Sequence, residues 1–165
     1  MNREIIIKKL VADAIIPSYA HENDAGMDVY AAEDVRIKPG QTVTVPTGIA
    51  LAIPDGYEIQ IRPRSGLSLN TMLRIPNSPG TIDSGFRDEV KIIMYNASPE
   101  NKYDSGEEIF FTSSKGNPKG IYLIRKGDRI AQMICAKVEH VFFVPADTLD
   151  GIGIDRNGGF GSTGH

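Results

Sequence analysis

The chain has 165 residues, of which 41% are hydrophobic and 24% are charged, so it is long enough for one domain with a full core. Its net charge of −3 gives no overall field that would attract nucleic acid or an anionic membrane surface. The first ten residues are too short and too charged for a signal peptide, and no apolar run reaches transmembrane length. We therefore expect neither nucleic acid nor a membrane as a partner.

Cysteine and histidine do not form a recognisable chemical site. Cys135 is the only cysteine, inside an apolar run, and is expected to act as a buried small hydrophobic residue. A single cysteine allows no internal disulfide, which is consistent with a reducing cytoplasm. The three histidines are scattered without metal-ligand spacing, so a protein-ligated zinc and a covalent nucleophile are both disfavoured.

Short apolar runs separated by Gly, Pro, Asn and Asp predict an all-β barrel or sandwich. We see no internal repeat and no linker, so residues 1–155 are expected to form a single β-barrel domain. In chain order, the predicted strands are Ile5–Val11, Asp28–Ile37, Thr42–Ile53, Tyr57–Ile61, Val90–Tyr95, Ile109–Thr112, Ile121–Ile124 and Ile130–Val144.

One short helix is predicted over Ser65–Leu69, because Ser65 is a good N-cap residue and follows a proline and an arginine. The start of a helix presents unpaired N–H groups that suit a phosphate. A simple capped turn between two strands is the alternative interpretation.

The segment Asn77–Glu89 is predicted to be a β-hairpin with Asp83 near its tip and the aromatic ring of Phe86 beside it. Gly80 allows the backbone to approach a ligand closely. These groups could hold a flat ring by its edge and direct a water molecule at a neighbouring atom. Taken alone, a hairpin with one aspartate is more often only a hairpin.

The last residues, 156–165, are rich in glycine, so they are expected to be flexible without a ligand. They also contain one arginine, one aromatic residue and two hydroxyl side chains. A mobile terminus without function is one interpretation. The other is a lid in which Phe160 stacks on a base while Arg156 and Ser162 close on phosphates.

Five segments in this order resemble the trimeric dUTP diphosphatases, the dUTPase family. Each segment is weakly specific alone, but five in the family's order, spread over nearly the whole chain, are highly specific. The segments are Ala25–Ala32, Pro63–Leu67, Asn77–Arg87, Gly127–Gln132 and Arg156–Gly164.

The resemblance implies a jelly-roll-like, distorted β-barrel that assembles as a homotrimer with active sites between subunits. The implied reaction is hydrolysis of dUTP to dUMP and pyrophosphate by water attack on the α-phosphate, assisted by Mg²⁺. This reaction keeps uracil out of DNA and supplies dUMP for thymidylate synthesis. A cytoplasmic location is implied, or the host cytoplasm if the source is a virus.

The resemblance also implies a role for individual residues. Asp83 would activate the attacking water, and Asp28 would hold Mg²⁺ indirectly through metal-bound water. The residues expected around uracil and deoxyribose are Asn77, Gly80, Thr81, Ile82, Phe86 and Phe160. The residues expected at the phosphates are Arg64, Ser65, Gly66, Gln132, Arg156, Gly161 and Ser162.

The chain departs from the family in two places. The family often has tyrosine at the position of Phe86, so a hydrogen bond from that hydroxyl to the sugar is lost, whereas the ring packing is kept. Residues 97–126 form a longer connection than in compact members, and we predict an extra β-hairpin there. A tolerated surface insertion is the favoured interpretation. A protein-binding surface over residues 103–122, motivated by its aromatic residues, is the alternative.

Three other functions compete with this one. In the related dCTP deaminases and bifunctional deaminase–diphosphatases a catalytic glutamate follows the turn, ten residues after the aspartate, but that position is Ile93 here. A non-enzymatic nucleotide-binding barrel would not need the full set of charged and polar residues. A lectin-like or capsid-like jelly roll would leave the glycine-rich tail unexplained.

Overall fold

The computed structural model describes residues 4–99 and 108–155. Within these residues the predicted all-β class with one short helix is confirmed, and no helix there is long and apolar enough to span a bilayer. The elements are β1 (Ile6–Lys9), β2 (Ser18–Tyr19), β3 (Met27–Tyr30), β4 (Val35–Ile37), β5 (Thr42–Pro46), β6 (Ile49–Ala52), β7 (Tyr57–Arg62), α1 (Ser65–Asn70), β8 (Leu73–Arg74), β9 (Gly80–Ile82), β10 (Lys91–Asn96), β11 (Ile109–Phe111), β12 (Ile121–Ile124) and β13 (Arg129–Lys137).

The strands form small sheets around one hydrophobic core, which is an arrangement of the jelly-roll type. The largest sheet has the strand order β2-β3-β13-β7-β9, so β9 lies at its edge. The other sheets have the orders β5-β10-β8, β11-β12-β4 and β1-β6. Alternate residues of β10 face the core: Ile92 and Met94 are buried, whereas Lys91 is exposed.

The two long predicted strands Asp28–Ile37 and Thr42–Ile53 are wrong in extent, because each is divided into two. The first leaves its sheet where the Ala31 N–H donates to the carbonyl of Asp128 at 2.9 Å. The second is interrupted at Gly48, which has a φ of 69°. A Cβ atom at Gly48 would lie 2.7 Å from Cγ2 of Val11, in the loop after β1, so only glycine fits this break.

The last strand is also shorter than predicted, because β13 ends at Lys137 and not at Val144. Residues 138–155 contain no helix or strand. The side chains from Val141 to Val144 are each at least 74% exposed, with Phe143 at 93%. A contiguous exposed apolar run of this kind is typical of a surface that another chain covers.

The helix α1 begins at Ser65 with Arg64 at the N-cap position, so the predicted cap at Ser65 is wrong by one residue. No side chain caps the first turn. Leu67 is buried in the core and fixes the helix to the barrel, so burial holds the first turn, which no side chain caps.

The predicted hairpin over Asn77–Glu89 is wrong as a strand pairing. β9 pairs with β7 in the largest sheet, whereas β10 pairs with β5 and β8 in another sheet. The chain passes from one sheet to the other between Asp83 and Val90, so the segment bridges the two sheets. Because β9 has only one partner strand, the N–H and C=O groups on its other side can face a ligand.

The predicted extra hairpin in residues 97–126 is wrong for the part of that connection that the structure describes, because β11 and β12 are parallel. The connection is anchored at its base by the buried side chain of Asn96. Its Nδ2 donates to the carbonyls of Ile37 at 3.0 Å and Gly120 at 2.8 Å, and its Oδ1 accepts the N–H of Ser98 at 3.0 Å.

Two of the three aromatic residues that motivated a protein-binding surface over 103–122 pack in or against the core of the barrel. Tyr122 is fully buried, and Phe110 packs against the core with its ring 5.9 Å from that of Tyr122. The guanidinium of Arg125 lies 4.0 Å from the centre of the Phe111 ring. Residues 103–107 lie outside the described part of the chain, so a partner surface there stays a prediction.

Candidate functional site

A small cavity of about 140 Å³ lies at the edge of the largest sheet, beside β9. It is smaller than the roughly 300–1,000 Å³ that is usual for drug-sized ligands, and its size suits a single flat ring. All the predicted base-binding residues that the structure describes line this cavity: Asn77, Gly80, Thr81, Ile82 and Phe86.

Gly80 is packed so closely that it fixes the shape of the cavity. A Cβ atom at this position would lie 3.1 Å from Nδ2 of Asn77 and 3.5 Å from Cβ of Ile61. A larger residue would therefore displace the Asn77 amide or move β9 away from β7. Glycine keeps the amide of Asn77 against the backbone of the edge strand.

Asp83 follows β9 directly and opens a tight turn in which the N–H of Phe86 donates to the Asp83 carbonyl at 3.1 Å. This turn brings the Phe86 ring back to the cavity and leaves it 39% exposed. The Arg87 guanidinium donates to the Phe86 carbonyl at 2.8 Å and supports the turn. The Asp83 carboxylate is exposed and makes no hydrogen bond within the described residues, so it is free to accept one from water.

A second group of predicted residues forms an ion cluster around Asp28, which is only 8% exposed. Oδ1 of Asp28 accepts from Nε of Arg64 at 2.9 Å, and Oδ2 accepts from Nη1 of Arg129 at 3.1 Å. The carboxylate explains why two guanidinium groups can lie close together. Since one negative charge faces two positive ones, the cluster keeps a net positive charge that favours an anionic ligand.

Gln132 lies in the same row of the sheet as this cluster, opposite Asp28 on one side and Arg62 on the other. A Cβ atom on Gly26 would lie 3.4 Å from the Gln132 side chain, so the glycine allows this side chain to pack against the strand. The structure therefore brings together three of the predicted phosphate and metal residues: Asp28, Arg64 and Gln132.

Ser65 and Gly66 follow Arg64 in the exposed first turn of α1. A Cβ atom on Gly66 would meet no atom within 4 Å, so packing inside this chain does not require glycine here. The open space leaves room for a ligand close to the backbone N–H of Gly66.

The cavity and the ion cluster do not form one site within a single chain. Asp28 lies on β3 and Asp83 follows β9, three strand spacings apart in the largest sheet, which is about 14 Å. They are also offset along the strands, because Arg62 is opposite Gln132 whereas Ile59 is opposite Ile82. A ligand confined to the ring-sized cavity of one chain therefore does not reach the ion cluster of the same chain.

The described residues do not form a direct metal site. No group of three His, Cys, Asp or Glu side chains comes together among them, and both oxygens of Asp28 already accept from arginine. Asp28 can still hold the water shell of a Mg²⁺ ion whose other ligands are phosphate oxygens, which is how Mg²⁺ is usually bound at nucleotides. The residues therefore fit the indirect role predicted for Asp28.

Two functional candidates were missed from the sequence. Arg129 stands in a segment that carries the family resemblance, and its charge so close to Gln132 was a usable signal. Ile61 forms part of the cavity through the pairing of β7 with β9, which no local pattern reveals. The predicted lid residues Arg156, Phe160, Gly161 and Ser162 lie outside the described residues, so their role stays a prediction.

Ile93, at the position where a deaminase would have its catalytic glutamate, lines the cavity. The other lining residues include no carboxylate. Deamination of a base held in this cavity would therefore lack the carboxylate that transfers the proton in a deaminase.

Comparison with known sequences gives a consistent result. The family model described as dUTPase matches residues 12–109. Deoxyuridine 5'-triphosphate nucleotidohydrolase of Zymomonas mobilis subsp. mobilis is 46% identical over 166 residues, covering 99% of this chain and 99% of the relative. The enzyme of the same name from Solibacter usitatus is 41% identical and covers 98% of this chain and 96% of the relative.

Comparison with solved structures agrees. A tyrosine-to-phenylalanine variant of the dUTPase of Staphylococcus bacteriophage 80alpha, with dUpNHpp, superposes with a TM-score of 0.87 at 29% identity, covering 99% of this chain and 100% of that one. A dUTPase of phage phi11 of S. aureus, described with a structural Mg(II) ion, gives a TM-score of 0.80 at 26% identity over 88% of this chain and 98% of that one.

Proposed function

The chain belongs to the dUTPase family, and from this membership we propose that the edge cavity binds uracil while Asp83 directs water onto the triphosphate. The reaction is the hydrolysis of dUTP to dUMP. The observation that carries the assignment of residues is that Asn77, Gly80, Thr81, Ile82 and Phe86 line one ring-sized cavity and that Asp83 opens the turn next to it.

The edge strand β9 supplies the recognition of the base. Uracil presents one N–H donor between two carbonyl acceptors, and the unpaired side of β9 presents main-chain groups of both kinds. Cytosine would place an amino group where a main-chain donor expects a carbonyl, leaving two donors facing each other. A buried unpaired donor costs about 1–3 kcal/mol, so cytosine is rejected.

Asp83 acts on the water that attacks the α-phosphate. Its exposed carboxylate can accept a proton from water and orient the oxygen in line with the bond to the leaving pyrophosphate. The bond between the water oxygen and the α-phosphorus forms as the bond to the bridging oxygen breaks. The products are dUMP and pyrophosphate.

The ion cluster and α1 hold the triphosphate. Arg64, Ser65, Gly66 and Gln132 contact phosphate oxygens, and Asp28 keeps Arg64 in place through its 2.9 Å ion pair. Mg²⁺, held through its water shell by Asp28, would neutralise charge on the phosphates. The glycine-rich tail, with Arg156, Phe160, Gly161 and Ser162, closes over the bound nucleotide.

A homotrimer with shared sites completes the active site. The separation of Asp83 from the ion cluster within one chain supports this proposal, as does the exposed apolar run from Val141 to Val144. Each site takes Asp83 from one copy and Asp28, Arg64 and Gln132 from another. We also propose that the enzyme works in the cytoplasm, where it keeps uracil out of DNA.

Release of pyrophosphate from a panel of nucleotides tests this function. We expect turnover of dUTP and little release from dCTP, dTTP or UTP, because only uracil on deoxyribose satisfies both the strand edge and the sugar contact. Chelation of Mg²⁺ with EDTA should lower the rate about tenfold or more, and excess Mg²⁺ should restore it. Comparable turnover of dCTP, or release of ammonia, would contradict the proposal.

Phe86 is expected to maintain discrimination against ribose without a hydroxyl group of its own. Its ring packs under the sugar, where a 2′-hydroxyl would collide with it or lose hydration. We expect kcat/KM for UTP to stay more than about tenfold below that for dUTP.

Two variants serve as matched controls for this prediction. Phe86→Tyr restores a hydroxyl at the sugar and should keep the discrimination. Phe86→Ala removes the ring and should reduce the ratio of the two kcat/KM values. A wild-type ratio within tenfold would mean that Phe86 does not exclude ribose.

A further inference from the structure

The long connection of residues 97–126 contacts α1 at the end opposite to Ser65 and Gly66. Asn117 donates from Nδ2 to the carbonyl of Leu69 at 2.7 Å and from its backbone N–H to the carbonyl of Asn70 at 3.0 Å. Carbonyls in the last turn of a helix have no partner within the helix. The connection therefore caps the end of α1.

Tyr122 also holds Met72, which is the residue after the C-cap of α1. Its hydroxyl accepts the N–H of Met72 at 3.1 Å and donates to the carbonyl of Pro118 at 2.6 Å. Burial raises the pKa of the Tyr122 hydroxyl, so the proton that it donates is retained. Residues 117–122 thus hold the C-terminal end of α1 through both side chains and main chain.

Asn117 occupies a conformation that is unfavourable for most residues. Its φ is 52°, in the left-handed region that asparagine tolerates better than other residues with a side chain. Its Oδ1 is buried and has no hydrogen-bond partner in the described residues. Glycine would adopt the same backbone without burying this oxygen, so the property that the position uses is the donation from Nδ2 to Leu69.

The same connection also supports the turn that precedes β13. Oγ1 of Thr112 donates to Oδ2 of Asp128 at 2.7 Å, and that oxygen also accepts the N–H of Arg125 at 2.9 Å. Arg129 follows Asp128 in the chain and forms the ion pair with Asp28. The connection therefore contacts both elements that carry the ion cluster and its neighbours.

We propose that Asn117 is a positioning residue for triphosphate binding. By holding the last turn of α1, it fixes the orientation of the first turn, about 9 Å away along the six-residue helix, where Ser65 and Gly66 lie. This inference rests on the phosphate-binding role proposed for α1. It assigns to the connection a function in the active site that a tolerated surface insertion would not have.

The variant Asn117→Gly tests the proposal, because it keeps the left-handed backbone and the bond to Asn70 but removes the bond to Leu69. We expect the Kd for dUpNHpp to rise about tenfold, with the Kd for dUMP within about twofold of wild type. dUMP lacks the two outer phosphates, so a defect confined to triphosphate binding leaves its affinity unchanged. An equal loss for both ligands, or no loss for either, would overturn the proposal.

Two further variants keep the result interpretable. Asn117→Asp has the same shape, but it places an oxygen in front of the Leu69 carbonyl and cannot donate to it. Even if the glycine variant does not fold, this variant should bind dUpNHpp more weakly and dUMP as wild type does. Lys115→Ala changes an exposed residue of the same connection and should bind both ligands as wild type does. If Lys115→Ala also raised the Kd for dUpNHpp while leaving the Kd for dUMP unchanged, any change in the connection would have this effect. That result would overturn the role of Asn117.

The variant Ser65→Ala separates this inference from the proposed function of α1. If Ser65→Ala weakens dUpNHpp binding while Asn117→Gly and Asn117→Asp do not, α1 binds phosphate without help from Asn117 and the inference fails alone. If Ser65→Ala binds dUpNHpp as wild type does, the role proposed for α1 fails, and the inference fails with it.

Discussion

Replacing Asp83 by asparagine is expected to lower kcat for dUTP by about 10²–10⁴-fold, the range usually contributed by a general base. Asparagine has nearly the same shape as aspartate, but its amide cannot take a proton from water. Asp83 makes no side-chain hydrogen bond within the described residues, so the change breaks no bond there and the turn with Phe86 should be kept. Pyrophosphate release under saturating dUTP is the measurement.

Binding of dUpNHpp distinguishes a catalytic role for Asp83 from a structural one. The Kd of Asp83→Asn for this ligand should stay within about threefold of wild type, because the cavity and the ion cluster do not depend on the Asp83 charge. Asp88→Asn is a matched control, since Asp88 is an exposed aspartate of the same bridging segment. It should retain wild-type kcat. A parallel loss of binding and turnover in Asp83→Asn would assign Asp83 to the structure of the turn.

Mixing two inactive variants is expected to restore activity. Arg64→Gln removes a phosphate contact and leaves Asp83 intact, whereas Asp83→Asn leaves the ion cluster intact. In a mixed trimer, a site that takes Asp83 from an Arg64→Gln chain and Arg64 from an Asp83→Asn chain has both groups. With random assembly of equal amounts, about a quarter of the sites (½ × ½) are complete.

The dependence of the restored activity on the mixing ratio distinguishes shared sites from sites built within one chain. If f is the fraction of one variant, restored activity should follow f(1−f) and reach its maximum at equal amounts. Each variant alone, carried through the same denaturation and refolding, provides the baseline. Activity that stays at the sum of the two baselines at every ratio would mean that each site is built within one chain.

The sequence predicted local features more reliably than long-range ones. The turn at Asp83, the short helix after Pro63 and the strand predicted over Val90–Tyr95 depend on residues close together in the chain, and the structure has all three. The residues expected around the base also meet in one cavity, because most of them are neighbours in one segment.

Strand partners could not be predicted in the same way. β9 and β10 look like the two sides of a hairpin, but each has its partner far away in the chain, and only the packed core decides the pairing. The buried side chain of Asn96, at the base of the connection that carries β11 and β12, likewise donates to the carbonyl of Ile37, which is distant in the sequence. The end of β13 at Lys137 shows the same limit, since the apolar residues beyond it pair with no strand of residues 4–99 and 108–155.

In the proposed homotrimer, the exposed apolar run from Val141 to Val144 would link the stability of this protein to its concentration. When neighbouring copies cover such a run, folding and assembly become parts of one equilibrium, and the free energy of unfolding depends on the amount of protein present. Dilution then favours separate chains, in which these four apolar side chains are exposed to water. Conditions inside a cell that keep the protein abundant would thus also protect it from aggregation and proteolysis.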